Sequence, residues 1–402
     1  MGFGQGLSGL NSAAQELDVI GNNIANANTV GFKASTVAFG DIYATSKVGL
    51  GSKVAAINQR FTVGTITNTG NQLDLAVDGA AGMFRVEDQL GNVMYTRNGQ
   101  FFQDANNFIV NAQGQRLTGY GVTGTDTNPI KVPVGNLQPV ATTTLTTAAN
   151  LNAKAPNVTV AFDPTKPETY THSLPVTAYD SLGSPVQLTQ YFTKTADKTW
   201  RVDYTVPNPA AVPPASPFTL IAGPTLNFTD AGVTNPNPPP DFTLNIPAAT
   251  LPGTPAPLAI AVSYTGTTSF SGEFGYNFTQ NGFPTGEFSN IEIGQDGAVN
   301  AVYTNGERRV TGYVALANFN NLTGLRPVGD NAWVETGASG QPILGRPGTN
   351  GLALIRGQAV EESNVDMSQE LVRMIISQRF YQANAQTIKT QDQILQTLIT
   401  LR

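Results

Sequence analysis

Over the first 33 positions the apolar and small residues fall at Phe3, Leu7, Leu10, Ala14, Leu17, Gly21 and Ile24. The gaps alternate between four and three, the spacing of a coiled-coil seam, and predict one amphipathic helix. At 1.5 Å per residue that helix is about 35 Å long. Gly2, Gly4, Gly6 and Gly9 fall inside it, each less favourable than alanine by about 1 kcal/mol in a helix interior. The helix is therefore weak alone, and its seam requires a partner. The other long helical pattern is at the far end, from Ser363 to Arg402, which contains neither Gly nor Pro. Met374, Tyr381, Ile388 and Leu395 recur there every seven residues, and Leu398 extends the row. Flanking positions are small or polar, among them Ser377, Asn384 and Gln391. Ser363 or Asp366 can cap the start. Glu361, Glu362, Asp366 and Glu370 place negative charge where the helix macrodipole favours it. Two apolar stripes are most often core packing within one domain. Here they are terminal, thin and separated by a long stretch of strand and turn signals, which favours a surface for association.

Between the helices the period changes. Residues 26–70 are rich in Gly, Thr and Asn and read as an irregular or short-stranded connector, with extended runs at Val54–Ile57 and Phe61–Val63. From Leu73 the alternation is of period two. Phe84–Val86 and Val93–Tyr95 flank the turn signal Asp88–Asn92, and Phe101–Phe102 and Phe108–Val110 flank Asp104–Asn107. Both predict hairpins in an antiparallel β domain. A Thr-rich bridge, 141–150, leads to a second strand-and-turn region with strands expected at Val176–Tyr179, Gln187–Phe192 and Trp200–Val206. Ten prolines between Pro207 and Pro240 then predict loops or edge strands. Strand signals return at Glu287–Ile293, Val299–Tyr303 and Arg309–Phe319. The expected fold is mainly β with α-helical termini, in a nested plan. A terminal helical coiled-coil domain takes 1–28 plus 362–402, a connector takes 29–72, a discontinuous β domain takes 73–145 plus 283–361, and an inserted outer β domain takes 146–282.

Composition narrows the chemistry. Only 12% of the 402 residues are charged, against about a quarter in ordinary domains. Few charges among many Asn, Gln, Thr and Gly suit surfaces that pack on other protein surfaces. The net charge of −6 does not suggest a nucleic-acid partner. Absence of cysteine excludes disulfides and thiolate metal sites. The N-terminus has no secretory-signal pattern, and no apolar run reaches the ~18 residues that span a membrane. Gly4 to Gly9 matches GxGxxG, but no strand precedes it, so a dinucleotide site is rejected. His172 is the single histidine, and a surface or hydrogen-bonding role is expected for it. Asp88–Asn92 and Asp296–Gly297 lack calcium-loop spacing and read as hairpin turns. No catalytic group, cofactor or metal is expected. Self-association remains: a contact between unlike patches of identical subunits generates an open helical filament.

Several stretches resemble a known family. Ser8–Ala14 (SGLNSAA), Leu17–Asn26 (LDVIGNNIAN) and Val30–Lys33 (VGFK) are similar to the N-terminal signature of bacterial flagellar rod and hook proteins. Glu361–Asp366 (EESNVD), Leu371–Ile376 (LVRMII) and Gln378–Ile388 (QRFYQANAQTI), running on through Gln391–Leu395, resemble that family's C-terminal helix. The resemblance implies a non-enzymatic structural subunit of a homo-oligomeric tube, with terminal helices inside and β domains outside. The self-assembly seam would be Phe3, Leu7, Leu10, Ala14, Leu17, Ile24, Met374, Tyr381, Ile388, Leu395 and Leu398. It further implies passage through the flagellar type III export apparatus without a cleaved signal peptide, and a place outside the cell at the basal body and hook. Phe39 to Tyr43 (FGDIY) resembles an export motif of this system, although an ordinary aromatic pair in a connector fits equally. Implied partners are a distal rod protein, a hook cap, a hook–filament junction protein and a hook-length control protein. The large insert favours a hook member over a distal rod member. Met83 stands where the family usually has a second Phe. An exported β-rich adhesin or binding module is the competing class.

Overall fold

A computed structural model of the chain describes residues 3–42, 49–208, 217–251, 253 and 255–400, the side chains of 398–400 excepted. Helix α1 (Phe3–Ala25) and helix α2 (Met367–Thr400) stand at the two ends of a chain that is otherwise mainly β. Asp366 caps α2, its carboxylate accepting the backbone N–H groups of Ser368 at 2.9 Å and Gln369 at 3.1 Å. The chain divides into two compact units, one of 1–134, 289–302 and 308–402 and the other of 135–288 and 303–307.

In the first unit α1 is followed by a hairpin. Ser35–Asp41 pairs antiparallel with Ser52–Gln59, so the connector holds a longer paired strand than its Gly- and Asn-rich composition indicates, while Phe61–Val63 is not a strand. The main sheet interleaves early and late segments. The expected hairpins are present: Met83–Glu87 with Val93–Thr96, and Phe102–Gln103 with Ile109–Val110. Arg116–Tyr120 pairs with Arg308–Val314, and Val93–Thr96 pairs with Ala332–Val334. Met83, Tyr95, Phe319, Leu325 and Trp333 pack together in one cluster. Tyr95 meets Phe319 edge-on at 4.8 Å. Two short ladders lead the chain toward α2: Leu354–Gly357 on Leu75–Asp78, and Ala359–Glu361 on Ile66–Asn68.

The second unit has two four-stranded sheets sharing one core. His172–Tyr179, Pro185–Ala196, Thr199–Pro207 and Phe218–Asn227 form an antiparallel meander. The other sheet runs in the order Phe242–Ile246, Leu258–Ser263, Thr144–Asn150, Gly275–Gln280. Leu174, Leu188, Phe192, Trp200 and Val202 from the first meet Leu145, Leu244, Ile260 and Val262 from the second. The Thr-rich bridge is thus a central strand, with Leu145, Thr147 and Ala149 buried in alternation. Threonine's modest hydrophobicity hides that alternation in the sequence. The expected boundary at 145/146 falls inside this strand. Pro224 lies, as proline requires, on an edge strand beside a bulge, where the pairing jumps from Thr225 to Ala222. His172, expected in a surface or hydrogen-bonding role, is half-buried. Its ring stacks on Phe274 at 4.3 Å, and its Nε2 is buried with no partner.

Candidate assembly interface

The two helices pair antiparallel, and their contacts are mostly polar or small. Asn23 is buried and donates to Glu370 at 3.3 Å. The same amide brackets the hairpin, donating to Ser35 O at 2.8 Å and accepting from Ser35 N at 2.9 Å. Ser377, also buried, donates to Glu16 at 3.0 Å and to Ala13 O at 3.3 Å. Asn384 lies over Gly9, where an added Cβ would sit 2.8 Å from its Oδ1. Ile388 packs on Gly6. The close approach explains Gly6 and Gly9, which weaken α1 as an isolated helix, whereas Gly4 and Gly21 face open space. The hairpin strands support the pair, Ser12 donating to Ser52 O at 3.2 Å.

The predicted seam residues lie beside this contact row. On α1 the buried positions are Gly6, Ser12, Ala13, Ile20 and Asn23. Leu10, Ala14, Leu17 and Ile24 are half-buried, and Phe3 and Leu7 are exposed. On α2, Met374 and Ile388 are half-buried, while Tyr381 and Leu395 are exposed. The side chain of Leu398 lies outside the described residues. The pairing brings Ile388 onto α1 but leaves Leu7 44% and Leu395 53% accessible. Further large apolar side chains of α2 are also open, Val372 at 57% and Phe380 at 60%. Phe39 is exposed in the hairpin strand, and Tyr43 is outside the described residues.

Both helices are tied to the β body at one buried cluster. Glu361 ends the strand before α2, and its side chain is inaccessible, as is that of Lys33. Lys33 Nζ donates to Glu361 Oε1 at 2.6 Å and to Thr62 O at 2.7 Å. Arg97 donates to Glu361 Oε2 at 3.0 Å and to the carbonyls of Gly79 and Ala80. Gly64 N adds a third donor at 2.8 Å, and Gly31 N donates to Glu361 O at 2.7 Å. Two cations therefore share one carboxylate. Burial pulls Lys33 below its ordinary value against the opposing pull of Glu361, and burial lowers Arg97 in the same way. Gly31 holds φ at +72°, and an added Cβ would lie 2.5 Å from Asn98 N. Only glycine allows this passage. Asn364 completes the junction, accepting from Ala34 N at 2.7 Å and donating to Arg60 O at 2.7 Å.

Hydrophobic periodicity does not detect these residues. Asn23, Glu16 and Glu370 are polar positions beside a seam read as apolar. Lys33, Arg97 and Glu361 are far apart in sequence, and the one hint is charge inside turn and strand segments of a charge-poor chain. Among the described residues no three His, Cys, Asp or Glu converge in a metal-holding group, and no helix is long and apolar enough to cross a membrane.

Comparison with known proteins gives this geometry a context. Residues 5–33 match the flagella basal body rod protein family, 76–161 the flagellar hook protein FlgE/F/G D1 domain, 150–283 the flagellar basal body protein FlaE D2 domain, and 356–401 the flagellar basal body rod FlgEFG protein C-terminal family. The chain is 43% identical to the flagellar hook protein FlgE of Salmonella typhimurium over 416 residues, covering 100% of both chains. It is also 43% identical to the FlgE of Escherichia coli, again over 100% of each, and 32% identical to that of Borreliella burgdorferi, over 99% of this chain and 98% of the relative. The crystal structure of Helicobacter pylori flagellar hook protein FlgE2 superposes with a TM-score of 0.56 at 16% identity, over 73% of this chain and 100% of that one, a likeness of fold. A β body carrying paired terminal helices, and full-length identity at this level, show that the chain belongs to the flagellar hook protein family, whose members are non-catalytic subunits of a polymer of identical chains at the flagellar hook.

Proposed function

We propose that this chain polymerises into the curved, flexible tube that carries torque from the flagellar rod to the filament, with α1 and α2 as its inner cohesive layer. The observation that carries this reading is the division of labour on the helices. Their mutual contact is polar and small, while Leu7, Val372, Phe380 and Leu395 stay open. Because Ile388 sits on Gly6 and α1 starts at Phe3, roughly the last two turns of α2 run on past its partner. Such rows are covered when a second copy docks. The seam residues named from the sequence are then intersubunit residues.

The β regions form the outer part of the tube in a nested arrangement, with 146–282 as the inserted outer domain. The subunit travels unfolded through the type III export apparatus, with Phe39 and Tyr43 as the export motif. It meets a distal rod protein at one end, a junction protein at the other, and a cap and length-control protein during growth. The test is expression in a bacterium lacking its own hook subunit. Hooks on isolated basal bodies and restored swimming support the proposal. Secreted monomer without hooks contradicts it.

A further inference from the structure

We propose that α1 and α2 carry two complementary outward faces by which successive copies of this chain join, with Asp18 of one copy paired to Arg379 of the next. This inference rests on the assembly reading and names the contact between copies. The charged residues of α1 are Glu16 and Asp18, and those of α2 are Glu370, Arg373, Arg379, Lys389 and Asp392. Within the chain Glu16 accepts from Ser377, Glu370 pairs with Arg373, and Asp392 accepts from Gln396. Asp18, Arg379 and Lys389 are exposed and have no hydrogen bond or ion pair among the described residues.

Lys389 stands in a polar surface, with Gln386, Asp392 and Gln393 as its helix neighbours. Arg379 does not. Ile375 and Ile376 precede it by one turn, Val372 by two, and Phe380 follows it; all four are between 48% and 60% exposed. Covering that apolar row would bury the guanidinium, and a buried cation requires a counter-charge. Asp18 lies in a stripe of contrasting size: Gly4, Leu7, Asn11, Ala14, Asp18 and Gly21 alternate by three and four along α1. A Cβ built on Gly4 or Gly21 meets nothing within 4 Å, so no close approach within the chain uses these glycines. Asp18 is two residues from Glu16 and Arg379 two residues from Ser377, about 200° of helix rotation. Both free faces therefore point away from the contact that α1 and α2 make with each other. One offers large apolar side chains around a cation, the other a smooth surface around a carboxylate. When the second helix of one copy runs antiparallel to the first helix of the next, placing Arg379 at Asp18 sets Ile376 on Gly21 and Phe380 beside Leu17. Because the two faces differ and both are free, each copy uses both at once, and such a contact propagates instead of closing.

The test uses the full-length chain. Arg379→Asp and Asp18→Arg each set like charges at the contact, and each should raise the protein concentration needed for tubes by about tenfold or more. The double variant that exchanges the two charges should return to within about threefold of the parent. Both positions are exposed, so the single variants should melt as the parent monomer does. The chain has no native cysteine, so a Gly21→Cys, Ile376→Cys variant, assembled and then oxidised, should run on a denaturing gel as a ladder of covalent multimers, while either single cysteine should not extend beyond a dimer. Normal tubes from either single charge variant, no recovery in the exchanged pair, or monomer alone from the oxidised double-cysteine tubes would overturn the proposal and leave the assembly reading standing, since the parent would still form tubes. Absence of tubes from the parent would instead defeat the assembly reading, and this contact with it.

Discussion

Replacing Glu361 with glutamine isolates the junction that ties both terminal helices to the β body. The side chain keeps its size and loses its charge. The new amide can still accept a hydrogen bond from Lys33 or Arg97, but its own N–H groups must then face the other cation. Lys33 and Arg97, at 2.6 Å and 3.0 Å from the present carboxylate, are left buried without a counter-charge. Removing one partner of such a group costs about 3–5 kcal/mol. Lys33→Met is the control. It leaves Arg97 and Gly64 N on Glu361 and removes the surplus cation, so the loss is limited to contacts worth about 1–2 kcal/mol. The chain has two tryptophans, Trp200 in one unit and Trp333 in the other, both buried. In a Trp200→Phe background, Trp333 fluorescence therefore follows the unit that holds the junction. With a urea slope of about 2–3 kcal/mol/M, Glu361→Gln should lower the midpoint by about 1–2 M, and Lys33→Met by less than half as much.

The pH dependence has a definite sign. Lys33 titrates below its unfolded value of about 10.4 because of burial. Between the two values the unfolded chain binds more protons, so stability from this group rises with pH in that window. The window widens when the carboxylate that holds the proton on Lys33 is removed. The deficit of Glu361→Gln should therefore shrink as pH is raised toward about 10. A midpoint equal to the parent's, a larger loss in Lys33→Met, or a deficit that grows with alkali would refute the reasoning.

Three further outcomes are expected. Leu10→Asp and Leu395→Asp change accessible positions beside the helix contact, so the monomer should unfold near the parent's midpoint while tube formation is lost; normal tubes by electron microscopy would show that the seam is not cohesive. Excising 142–282 removes the inserted domain (146–282) at a point where Thr142 and Gly282 lie together, an added Cβ at Gly282 falling 2.8 Å from Thr142 N, and should give straight or altered tubes; a product that cannot assemble would contradict the nested plan. Tyr204 and Tyr264 are fully buried, and burial raises both well above their ordinary value; above about pH 10 the unfolded chain loses these protons and the folded chain keeps them, so the unit followed by Trp200 should hold its stability up to that pH and lose it beyond, with onset well below about pH 9 contradicting the assignment.

The sequence was most legible where one local rule governs. Turn residues such as Asp88–Asn92 and Asp104–Asn107 mark hairpins because their side chains bond the backbone of the turn, as Asp88 does with Leu90 N and Asn92 N. The sevenfold repeat located both helices. It did not locate the face by which they meet. That face is made of Gly9, Glu16, Asn23, Glu370, Ser377 and Asn384, whose value lies in fit and hydrogen bonding. The Thr144–Asn150 strand was hidden for a related reason, since threonine and alanine alternate with little contrast in hydropathy. The junction was out of reach because its three charges are brought together only by the tertiary fold.

The most direct test of the central claim is electron microscopy of the purified full-length chain after salting-out. The account predicts hollow tubes of uniform diameter, whose density places α1 and α2 innermost with Leu7, Phe380 and Leu395 buried against neighbouring copies. Monodisperse particles under all such conditions, or tubes in which the helices face outward and the β units form the inner wall, would contradict it.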